Sequence, residues 1–171
     1  MKAFSTPIIL FLFLVSPLFG ASNVDIEADE FDYDGAKGIV HAKGNVIVTQ
    51  EDVTIKSGRG LYEKAKQTIT LFDGVVMEKD GIYLTCETAV ANSLKNTLEA
   101  IGTVNYTFKD IKGTAGKAFY DMKKNEVELS ENPVAYQGRE LVKGERVIID
   151  LTKNKVITRG KARVKLSVDK I

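Results

Sequence analysis

Asp25, Glu27 and Asp29 alternate along one short stretch. In an extended chain alternate side chains point the same way, so these three carboxylates share a strand face. Such a set can collect a calcium ion, and a pair of its members can serve as the acid and base of a glycosidase. A solvated outer face is the simpler reading. The single histidine, His41, and the single cysteine, Cys86, are the other reactive candidates. A lone cysteine closes no disulfide within the chain. No glycine-rich phosphate loop, metal-spaced histidines or Ser-His-Asp set is visible, and tryptophan, the usual sugar-stacking residue, is absent.

What must position these residues is a repeat. Stepping through the chain from Val24 in intervals of 29 aligns Tyr33, Tyr62, Ala91, Tyr120 and Ile149 in one column. The next column holds Asp34, Glu63, Asn92, Asp121 and Asp150. Lys37, Lys66, Lys95, Lys124 and Lys153 follow, and behind them Val40, Ile69, Leu98, Val127 and Val156. Five tandem copies at a fixed period imply units that bury their apolar faces by stacking on one another. His41 shares its column with Thr70, Glu99, Glu128 and Ile157, so nothing chemical recurs there. Cys86 shares its own with Ala28, Ser57, Ala115 and Gly144, which argues for packing rather than nucleophilicity. The acidic column beginning at Asp34, the one candidate for a polysaccharide-cleaving enzyme, reads as a turn-opening position. The expectation is no enzyme, no metal and no cofactor.

Each copy reads as strand, turn, strand. Val24, Ile26 and Ala28 alternate with acids, and the phase returns at Val53-Ile55-Ser57 and Ile82-Leu84-Cys86. Turns follow at 35–38, 64–67, 93–96, 122–125 and 151–154, ending in residues that tolerate positive φ. Gly44, Asp73-Gly74, Gly102 and Gly160 mark bends in the return strands, while Pro133 interrupts the fourth copy. Bending both arms of each hairpin gives an all-β fold, an open antiparallel β-jelly roll or two-layer sandwich built from five 29-residue repeats. A parallel β-helix with one coil per repeat is the alternative. In either, the first and last strands are unpaired edges.

Residues 1–22 read as a signal peptide: Met1-Lys2, then apolar residues through Phe19, then Gly20-Ala21-Ser22. An uncleaved membrane anchor is the rival. Residues 23–171 are then a single domain. Formal net charge is +1, which gives no global indication of nucleic acid. Charge is nonetheless segregated: residues 25–52 hold eight acids and two bases, and residues 152–171 hold seven bases and one acid. Stacking would set those ends apart. Asp25, Glu27 and Asp29 at one edge, and Arg159, Arg163 and Lys165 at the other, are the expected partner interface, and they favour head-to-tail homo-oligomers.

Lys43-Gly44-Asn45-Val46-Ile47-Val48-Thr49-Gln50, preceded by Ile26-Glu27-Ala28-Asp29 and followed by Ile55-Lys56-Ser57, resembles the start of the OstA-like domain of the LptA family. Gly102 to Val104 extends the pattern. The resemblance implies an open β-jelly roll in the periplasm. It further implies lipopolysaccharide carried by its acyl chains between an LptC-like inner-membrane protein and an LptD-like outer-membrane protein. The columns supply a lining suited to acyl chains, since Val24, Ile26, Val46, Val48, Ile55, Leu84, Val104 and Tyr106 would form an apolar trough between splayed sheets. A purely structural repeat protein, or a membrane-anchored LptC-like subunit, are the other readings. Arg59, Arg139, Arg146, Arg159, Arg163 and Lys165 are candidates for head-group phosphates.

Overall fold

The structure, a computed structural model, describes residues 24–50, 52–79 and 81–166. Residues 1–22, expected from the sequence to be a signal peptide, and the chain from 167 onward lie outside the described residues. The first repeat forms β1 (Asp25–Glu27), β2 (Glu30–Asp34) and β3 (Ile39–Gln50); the second forms β4 (Val53–Glu63), β5 (Thr68–Phe72) and β6 (Val75–Lys79). The third forms β7 (Ile82–Cys86), β8 (Thr88–Asn92) and β9 (Thr97–Phe108); the fourth, β10 (Ile111–Asp121), β11 (Glu126–Ser130) and β12 (Val134–Gln137). The fifth forms β13 (Glu140–Lys143), β14 (Arg146–Asp150), β15 (Lys155–Arg159) and β16 (Arg163–Lys165). Every strand pairing is antiparallel, which excludes the β-helix.

Each repeat supplies two strand segments to each of two layers. The first layer runs β2, the start of β3, the end of β4, β5, β8, the start of β9, the end of β10, β11, β14 and β15. The second runs β1, the end of β3, the start of β4, β6, β7, the end of β9, the start of β10, β12, β13 and β16. The layers meet along a row of corners, and the hairpin turns line the two opposite rims.

The corners have a repeating chemistry that the glycine pattern shows only in part. Two consecutive residues take positive φ on every return arm: Gly44-Asn45, Asp73-Gly74, Gly102-Thr103, Glu131-Asn132 and Gly160-Lys161. The fourth pair contains no glycine and is not among the expected bends. Opposite each stands the residue fifteen positions earlier, and in every case one partner is acidic and the other glycine. The pairs are Asp29 with Gly44, Gly58 with Asp73, Glu87 with Gly102, Gly116 with Glu131, and Glu145 with Gly160, the acid lying where a glycine Cβ would stand. Backbone bonds close the bend, as Asp29 N–H donates to the Gly44 carbonyl and Gly116 N–H to that of Glu131, both at 2.9 Å.

Pro133 does not interrupt this scheme. It occupies the place held one repeat apart by Val46, Val75 and Val104, all wholly buried just past a corner. No strand pairing is asked of its nitrogen there, so a proline fits the column. At Gly102 both constraints coincide, with φ near +80° and Glu87 against the missing Cβ. Gly102→Ala is expected to cost about 2 kcal/mol, measurable as a lower urea midpoint at unchanged slope; an unchanged midpoint would show that the corner adapts.

The five hairpin turns end, as expected, in left-handed residues: Gly38, Gln67, Asn96, Asn125 and Asn154. The turns also stack. Each later turn donates its first amide to the last carbonyl of the turn before, as from Ser93 to Gln67 at 3.1 Å and Leu151 to Asn125 at 3.0 Å.

Candidate functional site

The interior between the layers is lined by inward columns from both walls. The expected lining residues all belong to the second layer: Val24; Ile26, Ile55 and Leu84; Val46 and Val104; Val48 and Tyr106. All of them join the apolar cluster between the layers. Depth separates them. Val46, Val104 and Tyr106 are at most 2% exposed and are covered by protein, whereas Ile26 and Ile55 are half-buried. Tyr106 stacks on Phe108 with ring centroids 5.0 Å apart, and its hydroxyl donates to the Val134 carbonyl at 2.9 Å. Burial pushes its pKa up.

The opposite wall is absent from the set expected from sequence. Phe31 and Tyr33 pair across β3 with Ala42 and Val40, so they face inward from edge strand β2. Among the described residues nothing stacks beyond them, and they are 42% and 58% exposed. The signal is present in the alternation Glu30-Phe31-Asp32-Tyr33-Asp34. Phe31 also heads a column otherwise made of Gly60, Ala89, Ala118 and Val147, so the bulkiest member stands where the stack ends. With half-buried Ile26, these aromatics leave an apolar mouth at the N-terminal end, whereas Val24, 7% exposed, is covered. At the other end Val164 pairs with inward Val142 and is 52% exposed, followed by Leu166 at 60%.

The expected interface residues lie at these same ends. Asp25 and Glu27 are exposed on β1, and Arg159, Arg163 and Lys165 are exposed on β15 and β16. Asp29 departs from the set of three carboxylates. It falls beyond β1 at the first corner, where its Oδ2 accepts from Asn45 Nδ2 at 2.9 Å. Among the arginines considered for phosphate, Arg59 forks onto both oxygens of Asp73 and lies over the Phe72 ring, while Arg146 pairs with Glu128.

The reactive candidates have structural surroundings. His41 is exposed on the outer face, opposite Asp32. Cys86 is buried at a corner and gives its thiol to the Thr88 carbonyl at 3.3 Å, and burial pushes its pKa up to about 11. A thiol held protonated there is a poor nucleophile.

The acidic column opens turns. Asp34 accepts from the Lys37 amide at 3.1 Å and Asp150 from the Lys153 amide at 2.9 Å, with the lysine ammonium at 3.0 Å in both. Asp34, Asp121 and Asp150 are all held below the ordinary carboxylate pKa. For Asp34 the Lys37 ammonium acts first, then its amide; for Asp121 and Asp150 the amides of Lys124 and Lys153 come first. A lowered pKa stabilises the fold fully above the unfolded value near 3.8 and is lost as pH falls through the folded value. Melting temperature is therefore expected to fall below about pH 4, and Asp150→Asn should flatten that fall; an identical acid limb in the variant would remove the turn from the account.

Residues 25–155 match the family described as LptA/(LptD N-terminal domain) LPS transport protein. The chain belongs to this family. Lipopolysaccharide transport, rather than catalysis, is what that description assigns to its members. Among solved structures, this LptA/LptD_N chain is similar to LptH, the LptA-homologous periplasmic component of the conserved lipopolysaccharide transport device from Pseudomonas aeruginosa. The two are 15% identical over 89% of this chain and 100% of that one, with a TM-score of 0.42. No curated protein matches the chain. The LptA/LptD_N assignment rests on the matched residues, which run from β1 into β15 and include the bend at Gly44-Asn45.

Proposed function

We propose that this chain works in the periplasm, takes up lipopolysaccharide by its acyl chains at the N-terminal mouth and holds them between its two layers. The observation that carries this reading is the exposure of inward-facing Phe31 and Tyr33 beside Ile26, apolar surface that water covers unless a ligand does. Each buried methylene contributes about 0.8 kcal/mol, so several acyl chains bind firmly to a surface that reads little besides hydrophobicity. Family membership supplies the cargo.

Partners join by strand addition at the open edges. An LptC-like inner-membrane protein and an LptD-like outer-membrane protein occupy opposite ends, and a second copy of the chain can take either place. Main-chain hydrogen bonds give affinity, and the acidic and basic edges set direction.

Displacement of a fluorescent fatty-acyl probe by lipopolysaccharide tests the cargo, using residues 23–171. Lipopolysaccharide is expected to displace the probe; failure to bind or release it would leave a structural repeat protein. Truncation after Arg159, which removes β16, tests the edges. Head-to-tail association in low salt, followed by light scattering, is expected to disappear. Unchanged association would sink the strand-addition reading.

A further inference from the structure

The trough is not equally open along its length, and the repeat allows like to be compared with like. Along the column that begins at Tyr33, Tyr62 is half-buried whereas Ile149 is 0% exposed. In the column that begins at Val24, Val53 and Ile82 are half-buried whereas Ile111 is 0% exposed. Ile111 and Ile149 are therefore sealed while their second- and third-repeat equivalents are half-buried; Val24 at 7% exposed, half-buried Tyr120 and exposed Glu140 show that the seal is local to these two isoleucines.

A polar contact lies at the seal. Asp110 sits in the turn between β9 and β10, on the rim of the second layer. Asn154 ends the turn between β14 and β15, on the rim of the first. Asn154 Nδ2 donates to Asp110 Oδ1 at 3.1 Å, and Gln137 Nε2 donates to Asp110 Oδ2 at 2.9 Å. The Asp110–Asn154 bond thus spans the open side of the trough from one layer to the other, between residues 44 apart in sequence. Ile111 follows Asp110 directly, and Ile149 immediately precedes the turn-opening Asp150. Gln137 and Asn154, in that order, hold the Asp110 carboxyl below its ordinary pKa, so it is an anion at neutral pH.

We propose that Asp110, with Asn154 and Gln137, is a clasp that holds the rims together over the last two repeats and must open before an acyl chain can advance past the third. This rests on the trough being the lipid path. A clasp at one end gives the path a stop: cargo entering at Phe31 and Tyr33 fills the accessible repeats and halts where the walls meet. The apparent affinity of the sealed section is reduced by the fraction of time it spends open, so weakening the clasp raises occupancy there.

Two measurements separate the clasp from the lipid path. Without ligand, Asp110→Ala and Asn154→Ala are expected to speed amide hydrogen exchange in β10 and β14 by about tenfold, through more frequent local opening. The early strands β3 and β4 should exchange unchanged. Equal exchange in β10 and β14 of parent and variants would overturn the clasp whatever the cargo. With a benzophenone-bearing fatty acid, labelling of the parent should concentrate on peptides of β1 to β9, and Asp110→Ala should extend it to peptides holding Ile111 and Ile149. Uniform labelling already in the parent would overturn the stop. Absence of labelling on any inward residue of parent and variants would overturn the lipid path itself, and with it the stop. The side chains replaced are exposed or at turns, so both variants are expected to fold.

Discussion

The Ile26→Glu variant is expected to fold normally and to lose acyl-chain binding. Ile26 sits on β1, three residues long and, among the described residues, paired only to β3, where it faces Val48. The strand is an edge, and little else packs beyond it, so the fold survives a polar group there. Binding does not. Losing the apolar contact of one isoleucine costs about 2 kcal/mol, and a carboxylate set against acyl chains adds at least about 1 kcal/mol, which together lower affinity by about 100-fold or more. Probe titration checks this, with Glu27→Gln as a control on the outward face of the same strand. Binding within about twofold of the parent, at unchanged melting temperature, would remove Ile26 from the site.

The second large effect is expected at Gly113. Its column reads Ile26, Ile55, Leu84, Gly113 and Val142, with one glycine among aliphatics, and the neighbouring column gives the reason. There the third repeat carries Tyr106 where the others carry Val48, Met77, Ala135 and Val164. Tyr106 pairs directly with Gly113 across β9 and β10, and its hydroxyl lies against the space that a side chain at 113 would take. A methyl at 113 would overlap the Val134 carbonyl, the acceptor of the Tyr106 hydroxyl, and stand 2.7 Å from that hydroxyl. Tyr106 can turn aside, but Val134 is backbone held in the β10–β12 pairing. Gly113→Ala is therefore expected to destabilise by about 3 kcal/mol, seen as a large drop in urea midpoint. Adding Tyr106→Phe should not rescue it, and a full rescue would show that the tyrosine alone sets the constraint.

Much of this architecture is legible because the chain says the same thing five times. One copy of Val24-Asp25-Ile26-Glu27 is an ordinary amphipathic strand; repeated at a period of 29, the phase of every column follows. Small residues at Ser57, Cys86 and Ala115 mark the outgoing bends, since a corner has no room for larger ones. Asp34 and its equivalents read correctly as turn openers because a carboxylate followed three residues later by a lysine satisfies both an amide and an ammonium. The acid–glycine pairs at the corners are equally present, at a constant spacing of fifteen. They stay invisible until Gly44 and Asp29 are seen to touch, because such a contact depends on how sharply both arms fold.

The limits of legibility are physical. A period establishes which residues share a column, but not how far one wall stands from the other. The eight lining residues chosen from the sequence all fall on the second layer, although the first supplies the aromatics of the mouth. Alternation cannot separate Ile26, which is half-buried, from Val104, which other side chains cover. Sequence by itself determined the all-β repeat, its turns, its inward columns and the opposite charges of its ends, because these depend on local geometry and periodicity. Only the tertiary structure decided that Phe31 and Tyr33 stand uncovered, that Pro133 replaces a valine, and that Asp110 reaches Asn154. Those facts depend on where stacking stops and on which turns the two layers bring face to face, and residues 44 apart carry no local trace of meeting.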